Sequence, residues 1–571
     1  LVDYSSWHKL LKVHAVIFLW HLCLWSLVYF GLEYWMVSET YFDHFQEKLS
    51  RYYVIILAAQ VVVLVGMNWA LFKRVLAAFI YQEASPYNLA LMRFAVMGSL
   101  AGHHFFYLPQ KLAQVAALPD TSKVGLPFVG WMVDMMPVNP LLYQTMTMLG
   151  GVICLAAALG FKTRWTLVLS IPILFYTLGV PNFYGKLNHT HFMLWFPVFL
   201  AFSPAGDVFS VDALLRKRRG EVLATEPHYR YGVAMKLIFL QVGLIYFYSA
   251  VGKLWLSGLE WALSDNLVHL MRLEWLENYG DIPWVRLDNY PILCKLAAVS
   301  VIVFELTYIF LILTPKTRIA GVFSAVFFHT MTGYFLHINF IFIRDLNLFH
   351  LDWHQLLVNS RDQWSKWLRW VVFMAASVLL MSTAHLLGAG LFILGLVLFF
   401  RKAGSLKPEV EKKKISLSPW VMKMGMGLIL VNMLFGLFQV NSWPFSAYPS
   451  YSFIREGTVR YVWFEPVGED GKQYDLNKLC VEAEFKKENI LPMAERVAFL
   501  HEFRSEKAFN AELIPYWLRL IEKVPALKSM RESQVLFQWW DTNPDRISSP
   551  IREKSLGRMV REGDRWQWFP A

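Results

Sequence analysis

From its start to about Val440 the chain is a succession of long apolar runs broken by short polar turns. A bilayer core of about 30 Å takes about 20 helical residues. Runs of that size lie near Leu11–Trp35, Tyr53–Ala77, Leu89–Leu108, Leu141–Gly160 and Trp165–Pro181. Others lie near His189–Pro204, Gly232–Leu254, Ile292–Leu313, Ile319–Leu336, Trp367–Met381, Leu386–Phe400 and Pro419–Val440. The stretch Ile338–Leu351 is apolar but short and carries Arg344 and Asp345. It reads as a re-entrant segment, a piece packed inside the bundle, or half of a broken span. The pattern predicts an all-α polytopic membrane protein with about 12–13 transmembrane helices.

Beyond Val440 the pattern changes. Residues 441–571 hold 19 Lys and Arg against 19 Asp and Glu, a charge density no span would carry. Val459–Phe464 and Val535–Trp540 have strand composition, Gly468-Glu469-Asp470-Gly471 reads as a hairpin turn, and Ala511–Lys523 has helical spacing. A small C-terminal α+β extramembrane domain is expected. The division along the chain is then 1–86, an N-terminal transmembrane hairpin; 87–357, a central membrane domain; 358–440, C-terminal transmembrane helices; and 441–571, the exterior domain.

Composition agrees with this pattern. Of the 571 residues 56% are hydrophobic and 17% charged, with a mean hydropathy of +0.38. Soluble chains carry about 25% charged residues. The 24 Trp, 25 Tyr and 44 Phe exclude disorder and suit membrane–water interfaces. The net charge of +11 sits beside spans, which makes the bilayer the expected partner and not nucleic acid.

The basic turns are Lys73-Arg74, Lys162/Arg164, Arg216-Lys217-Arg218-Arg219, Lys316/Arg318 and Arg401 through Lys414. They fall on one side if Ile338–Leu351 counts as a span. This predicts a multi-pass plasma-membrane protein, bacterial inner membrane, with the N-terminus cytoplasmic and the C-terminal domain exterior. The first apolar run is too long for a signal-peptide core and reads as a span. Cys23, Cys154, Cys294 and Cys480 form no CxxC pair, and there is no HExxH, so neither a disulfide framework nor a metal site is expected.

Ionisable side chains inside spans are costly and mark candidate sites. The densest group is Gly185-Lys186-Leu187-Asn188-His189-Thr190-His191, at the outer end of a span. Lys186 and His189 share a helix face if the helix has begun, and Asn188 and His191 share the adjacent stripe. One reading is a base or proton relay in a pocket. The other is an interfacial turn with a snorkelling lysine and hydrogen-bonded histidines. Further candidates are His103 and His104, Lys253 following Tyr246, Tyr248 and Ser249, Glu305, His329 and His337, and Arg344 with Asp345. Arg344 and Asp345 read as a buried structural charge pair. For Glu305 a structural carboxylate is as good a reading as a functional one, and His329 stands out because polar residues follow it.

Three stretches carry a family resemblance. They are Leu159–Leu215, with Asn188-His189 and then Phe209-Ser210-Val211-Asp212; Tyr246–Trp261, with Lys253, Leu254 and Trp261; and Leu313–Phe342, with His329 and Met331. They resemble the membrane domain of vitamin K-dependent gamma-glutamyl carboxylases, and more closely the horizontally transferred transmembrane (HTTM) domain family. The resemblance covers roughly Tyr87 to Leu357. It implies a reduced quinone, vitamin K hydroquinone or menaquinol, as cofactor. Animal members oxygenate that quinol to an epoxide, and the strong base so formed removes a glutamate γ-proton before CO2 adds. Carried over, it implies Lys186 as base, His189 as its catalytic partner, and Asn188, His191, Lys253 and His329 around the quinol. The family's base-initiating lysine precedes the Asn-His pair, and Lys186 is the lysine nearest that place here.

The enzyme reading is a quinol-dependent epoxidase or carboxylase-like protein acting on a secreted or membrane protein. A non-catalytic scaffold or maturation factor for a secreted partner is the alternative. A transporter would call for paired broken helices in two halves, which the sequence lacks. Convergence of Lys186, His189, Lys253 and His329 on one cavity would separate enzyme from scaffold.

Overall fold

A computed structural model describes residues 4–35, 39–109, 128–137, 139–183, 191–221, 226–277, 281–338, 340–352, 419–440, 442–447, 451–455, 457–483, 494, 497–498, 501, 506–543, 545, 550–563 and 565–571. The chain is mostly helical, with a C-terminal four-stranded antiparallel sheet. It divides into two compact units.

The first unit comprises Leu1–Trp261, Val299–Gly333 and Ile338–Phe453. Its helices used below are α1 (Tyr4–Trp35), α2 (Glu39–Met67), α3 (Trp69–Ile80), α4 (Pro86–Gly102), α5 (Pro140–Leu159), α6 (Thr163–Phe183) and α7 (His191–Ala201). They continue with α8 (Val211–Arg218), α9 (Tyr229–Ser257), α10 (Asn266–Glu277), α11 (Pro291–Leu311), α12 (Pro315–Leu336), α13 (Ile341–Leu346) and α14 (Pro419–Leu437), with α10 and the start of α11 in the second unit. Among the described residues six helices are long and apolar enough to cross a membrane, or seven if the bent pair Arg51–Met67 and Trp69–Ile80 is one span. That pair is the predicted span Tyr53–Ala77, interrupted at Asn68. The protein is therefore a multi-pass membrane protein. The expected spans Trp367–Met381 and Leu386–Phe400 lie outside the described residues. His191–Ala201 and Lys423–Leu437 are shorter apolar helices.

Helix ends follow local rules. Ser85 caps α4 by accepting from the Tyr87 N–H, with Pro86 at the first helical position. Asn139 caps α5 the same way through Leu141 and Leu142, and Gly160 ends it at φ 70°. A side chain at Gly160 would be strained by that φ, and its Cβ would meet Ser210 and the Arg93 guanidinium.

α9 is the centre of this unit and is buried along nearly its whole length. Apolar residues lie on every side of it, as suits a helix surrounded by others, with Lys236, Gln241, Ser249 and Lys253 as its buried polar exceptions. It packs on α2, α3, α4, α7 and α14. Against α14 the approach is close because Gly425 and Gly436 face it: a Cβ on either would lie 2.5 Å from Leu237 or 2.2 Å from Tyr248. Gln241 Nε2 donates to Asn432 Oδ1 at 3.1 Å across the same contact.

The second unit comprises Ala262–Ala298, Tyr334–His337 and Ile454–Ala571. Strands β1 (Thr458–Gly468), β2 (Met530–Asp541), β3 (Arg552–Glu562) and β4 (Arg565–Pro570) pair antiparallel in chain order. The helix α15 (Glu506–Lys523) contributes Leu513, Trp517 and Leu520 to the core against β1, with the Phe464 and Trp517 rings 4.6 Å apart. The turn at Gly468–Gly471 forms, with the Gly471 N–H donating to the Gly468 carbonyl. It returns the chain only as far as one bridge, Val467 with Gln473, so the main partner of β1 is the distant β2.

Asp288 is buried in this unit. It accepts from Arg286 at 2.8 and 2.9 Å and from Arg272 at 3.0 Å. Burial pushes its pKa up, but the hydrogen bonds and charges of Arg286 and Arg272 outweigh that and hold it below the usual range. A depressed carboxyl pKa contributes stability above the unfolded value, about 3.9, that is lost as pH falls through the folded one. Amide protection of β1 and β2 in the intact protein is therefore expected to fall below about pH 4. Asp288→Ala should lower that protection at pH 7 by about 1–3 kcal/mol and flatten its acid limb. An unchanged acid limb in the variant would remove Asp288 as the cause.

Candidate functional site

Tyr246, Ser249 and Lys253 are spaced three and four apart on α9 and so share one helix face. Glu305 and Tyr308 share a face of α11 in the same way. Where the two meet, Lys253 Nζ donates to both Glu305 carboxylate oxygens, at 3.0 and 2.9 Å, and to Ser249 Oγ at 2.8 Å. The Trp261 ring lies 5.2 Å from the ammonium. Lys253 and Glu305 are both 3% exposed, so this is a desolvated ion pair. All three ammonium hydrogens have acceptors, so Lys253 offers no lone pair to a substrate. Glu305, which the sequence left open between two readings, is the partner of Lys253.

One helical turn before Ser249, the Tyr246 hydroxyl lies 2.7 Å from His329 Nε2 on α12. Asn347, in the turn after α13, sends Nδ2 to the Ile343 carbonyl at 2.8 Å and towards the Tyr246 hydroxyl at 3.4 Å. Its Oδ1 accepts from the Tyr308 hydroxyl. His350 Nε2 lies 3.3 Å from that same hydroxyl. The direction of the chain follows. Asn347 Nδ2 can only donate to the Tyr246 oxygen, so His329 Nε2 is the acceptor these partners offer the Tyr246 hydrogen; with that hydrogen placed there, the neutral imidazole carries its own proton on Nδ1. His329 Nδ1 is buried and has no hydrogen-bond partner among the described residues. Phe328 and Phe340 lie against the ring, with centroids at 4.9 and 5.7 Å. With that tautomer the arrangement is a buried N–H in an aromatic surround, without a protein acceptor among the described residues.

Lys186, Asn188 and His189 lie outside the described residues. His191 is buried and has its own partners: Nε2 lies 2.8 Å from the Ser442 carbonyl, and the Trp443 ring is at 5.1 Å. His104 is a satisfied core histidine, with Nδ1 at 2.8 Å from the Leu100 carbonyl and Nε2 at 2.9 Å from Thr177 Oγ1. His103 stacks on Tyr107 in the π-turn that extends α4. His337 lies in the second unit, bonded to the Asp281 carbonyl. Arg344 and Asp345 pair with each other at 2.8 Å.

The Phe209-Ser210-Val211-Asp212 motif does structural work in this fold. Ser210 caps α8 through the Ala213 N–H. Asp212 accepts from the Lys162 and Thr163 N–H groups and the Thr163 hydroxyl, which caps α6. Arg93 on α4 donates to the carbonyls of Ala158, Ala205 and Phe209, which fastens the same corner. Sequence reading did not single out Arg93. The signal was there, a lone arginine inside the apolar run Leu89–Leu108. Lys236, inside Gly232–Leu254, was missed in the same way. It is buried with its ammonium 5.1 Å from the Phe79 ring.

Residues 81–353 match the family model of the HTTM domain. No curated protein and no solved structure matches the chain.

Proposed function

We propose that this integral membrane protein uses the region that matches the HTTM domain, residues 81–353, to bind a reduced quinone and promote its oxygenation. The observation that carries the reading is His329, a buried N–H donor without a protein acceptor among the described residues, held by Tyr246 and set among aromatic rings. A quinol or quinone head is flat, apolar and edged with oxygen, which suits such a surround. In this reading His329 holds the head oxygen, and the Lys253–Glu305 pair positions α9 and α11 below Tyr246. Lys186 takes the first hydroxyl proton, while Asn188, His189 and His191 orient the head. Quinol and dioxygen then give quinone epoxide and water.

The test is menaquinol binding to the purified protein in detergent. Wild type should bind, and His329→Leu should weaken binding about tenfold, the equivalent of one lost hydrogen bond of about 1.4 kcal/mol. Circular dichroism should be unchanged. His329→Asn, which keeps a donor, should recover part of the loss. No binding by wild type, or equal binding by His329→Leu, would turn the reading towards a non-catalytic scaffold.

A further inference from the structure

A second polar region lies where α6, α9 and α14 all begin. A cavity of about 670 Å³ opens there, and its lining includes Arg164, Arg216, Arg219, Arg230, Asp207 and Asp212. Its other wall is apolar, with Leu167 and Leu237 from the spanning helices α6 and α9 and Leu428 from the shorter apolar helix α14 among the lining residues.

The two carboxylates are already engaged. Asp212 caps α6, as described above. Asp207 accepts from the Tyr231 hydroxyl at 2.9 Å and lies 3.5 Å from Arg216. Arg216 also donates to the Gly206 carbonyl at 2.9 Å, so this part of the wall is held rigid. Arg219 lies 3.4 Å from Glu221, which is outside the lining. Four guanidinium groups against two carboxylates leave the lining with two excess positive charges. Arg164 and Arg230 are exposed, one at the start of α6 and one at the start of α9.

We propose that this cavity binds the phosphate group of an anionic phospholipid, with the acyl chains along the apolar wall. Guanidinium groups meet phosphate oxygens in pairs, and fixed donors lose less freedom in doing so. Basic pockets between membrane helices are suited to anionic headgroups. A free phosphate ion would use the arginines but has nothing to place against Leu167, Leu237 and Leu428. The basic cluster Arg216–Arg219 also marks the side that the loop charges assign to the cytoplasm, where anionic lipid faces the protein. This site stands apart from the quinone reading and is independent of it.

Native mass spectrometry of the purified protein in neutral detergent tests it, with phosphatidylglycerol and phosphatidylcholine of equal chain length and with inorganic phosphate. Wild type should retain phosphatidylglycerol at least tenfold better than phosphatidylcholine, and millimolar inorganic phosphate should not displace it. The double variant Arg164→Gln/Arg230→Gln spares the Arg216–Asp207 contact and should lose most of that preference. Lys217→Gln/Arg218→Gln removes two neighbouring charges outside the lining and should keep it. Equal retention of both lipids overturns the proposal, as does an unchanged preference in the arginine variant. Equal loss in the lysine/arginine control would reduce it to general surface charge. Displacement by inorganic phosphate would make the arginines a site for a soluble anion.

Discussion

Glu305→Ala is expected to destabilise the membrane unit by about 3–5 kcal/mol, the cost of leaving a buried charge without its partner. The reason lies in the geometry. Lys253 is 3% exposed and gives two of its three hydrogen bonds to Glu305. Ser249 alone cannot replace a carboxylate for an ammonium shut away from water. Lys253→Met leaves the opposite orphan and should cost about as much. The double variant Lys253→Met/Glu305→Leu removes both charges, and should recover most of the loss because a well-packed apolar pair can match a buried ion pair. Thermal melts of the four proteins in one detergent measure this as a double-mutant cycle. A double variant as unstable as the sum of the singles would show that the two residues do not act as a pair. If the double variant is stable but binds menaquinol poorly, the pair's contribution is to position Tyr246 and His329.

Lys186→Ala is expected to lower menaquinol oxidation at least about a hundredfold, the lower end of what a positioned base contributes. This follows from the proposed role of Lys186 as the base. Lys186→Arg should fail equally, because a guanidinium has a pKa above about 12 and does not accept the proton. A lysine that only snorkels to the interface makes the opposite forecast, since arginine supplies the same positive head. Rates at matched expression, with folding checked by circular dichroism, decide between the two. Full activity in Lys186→Arg would take Lys186 out of the reaction and leave His189 as the base to test next.

Much of the architecture was legible because hydropathy is a local signal. A span must satisfy its backbone within itself and cover it with apolar side chains, so a window of about 20 residues is enough to see it. The C-terminal domain was half legible. β1 and β2 show apolar strand composition. β3 (Arg552–Glu562) is charge-rich because only residues such as Leu556 and Met559 turn inward, and β4 has six residues. Neither has a pattern strong enough to read without its neighbour. The turn at Gly468–Gly471 was correctly placed, yet β1 pairs with β2, more than sixty residues further on. A turn fixes where a chain bends and does not fix which strand it will lie beside.

The candidate site divides along the same line. Sequence alone picked out Lys253, Glu305 and His329 as polar groups in apolar runs, because an ionisable residue in a span is conspicuous whatever surrounds it. Sequence could not say that Glu305 answers Lys253 across 52 positions, or that Tyr246 holds His329 across 83. Those partners come from different helices, and only packing chooses which faces meet. The same holds for the arginine-lined cavity. Its four guanidinium groups come from three separate places in the chain: the basic turn with Arg164, the basic cluster with Arg216 and Arg219, and the single Arg230 at the start of α9. They become one positive wall only where α6, α8 and α9 come together: Asp212 of α8 caps the start of α6, and the Tyr231 hydroxyl of α9 reaches Asp207, contacts that no local pattern announces.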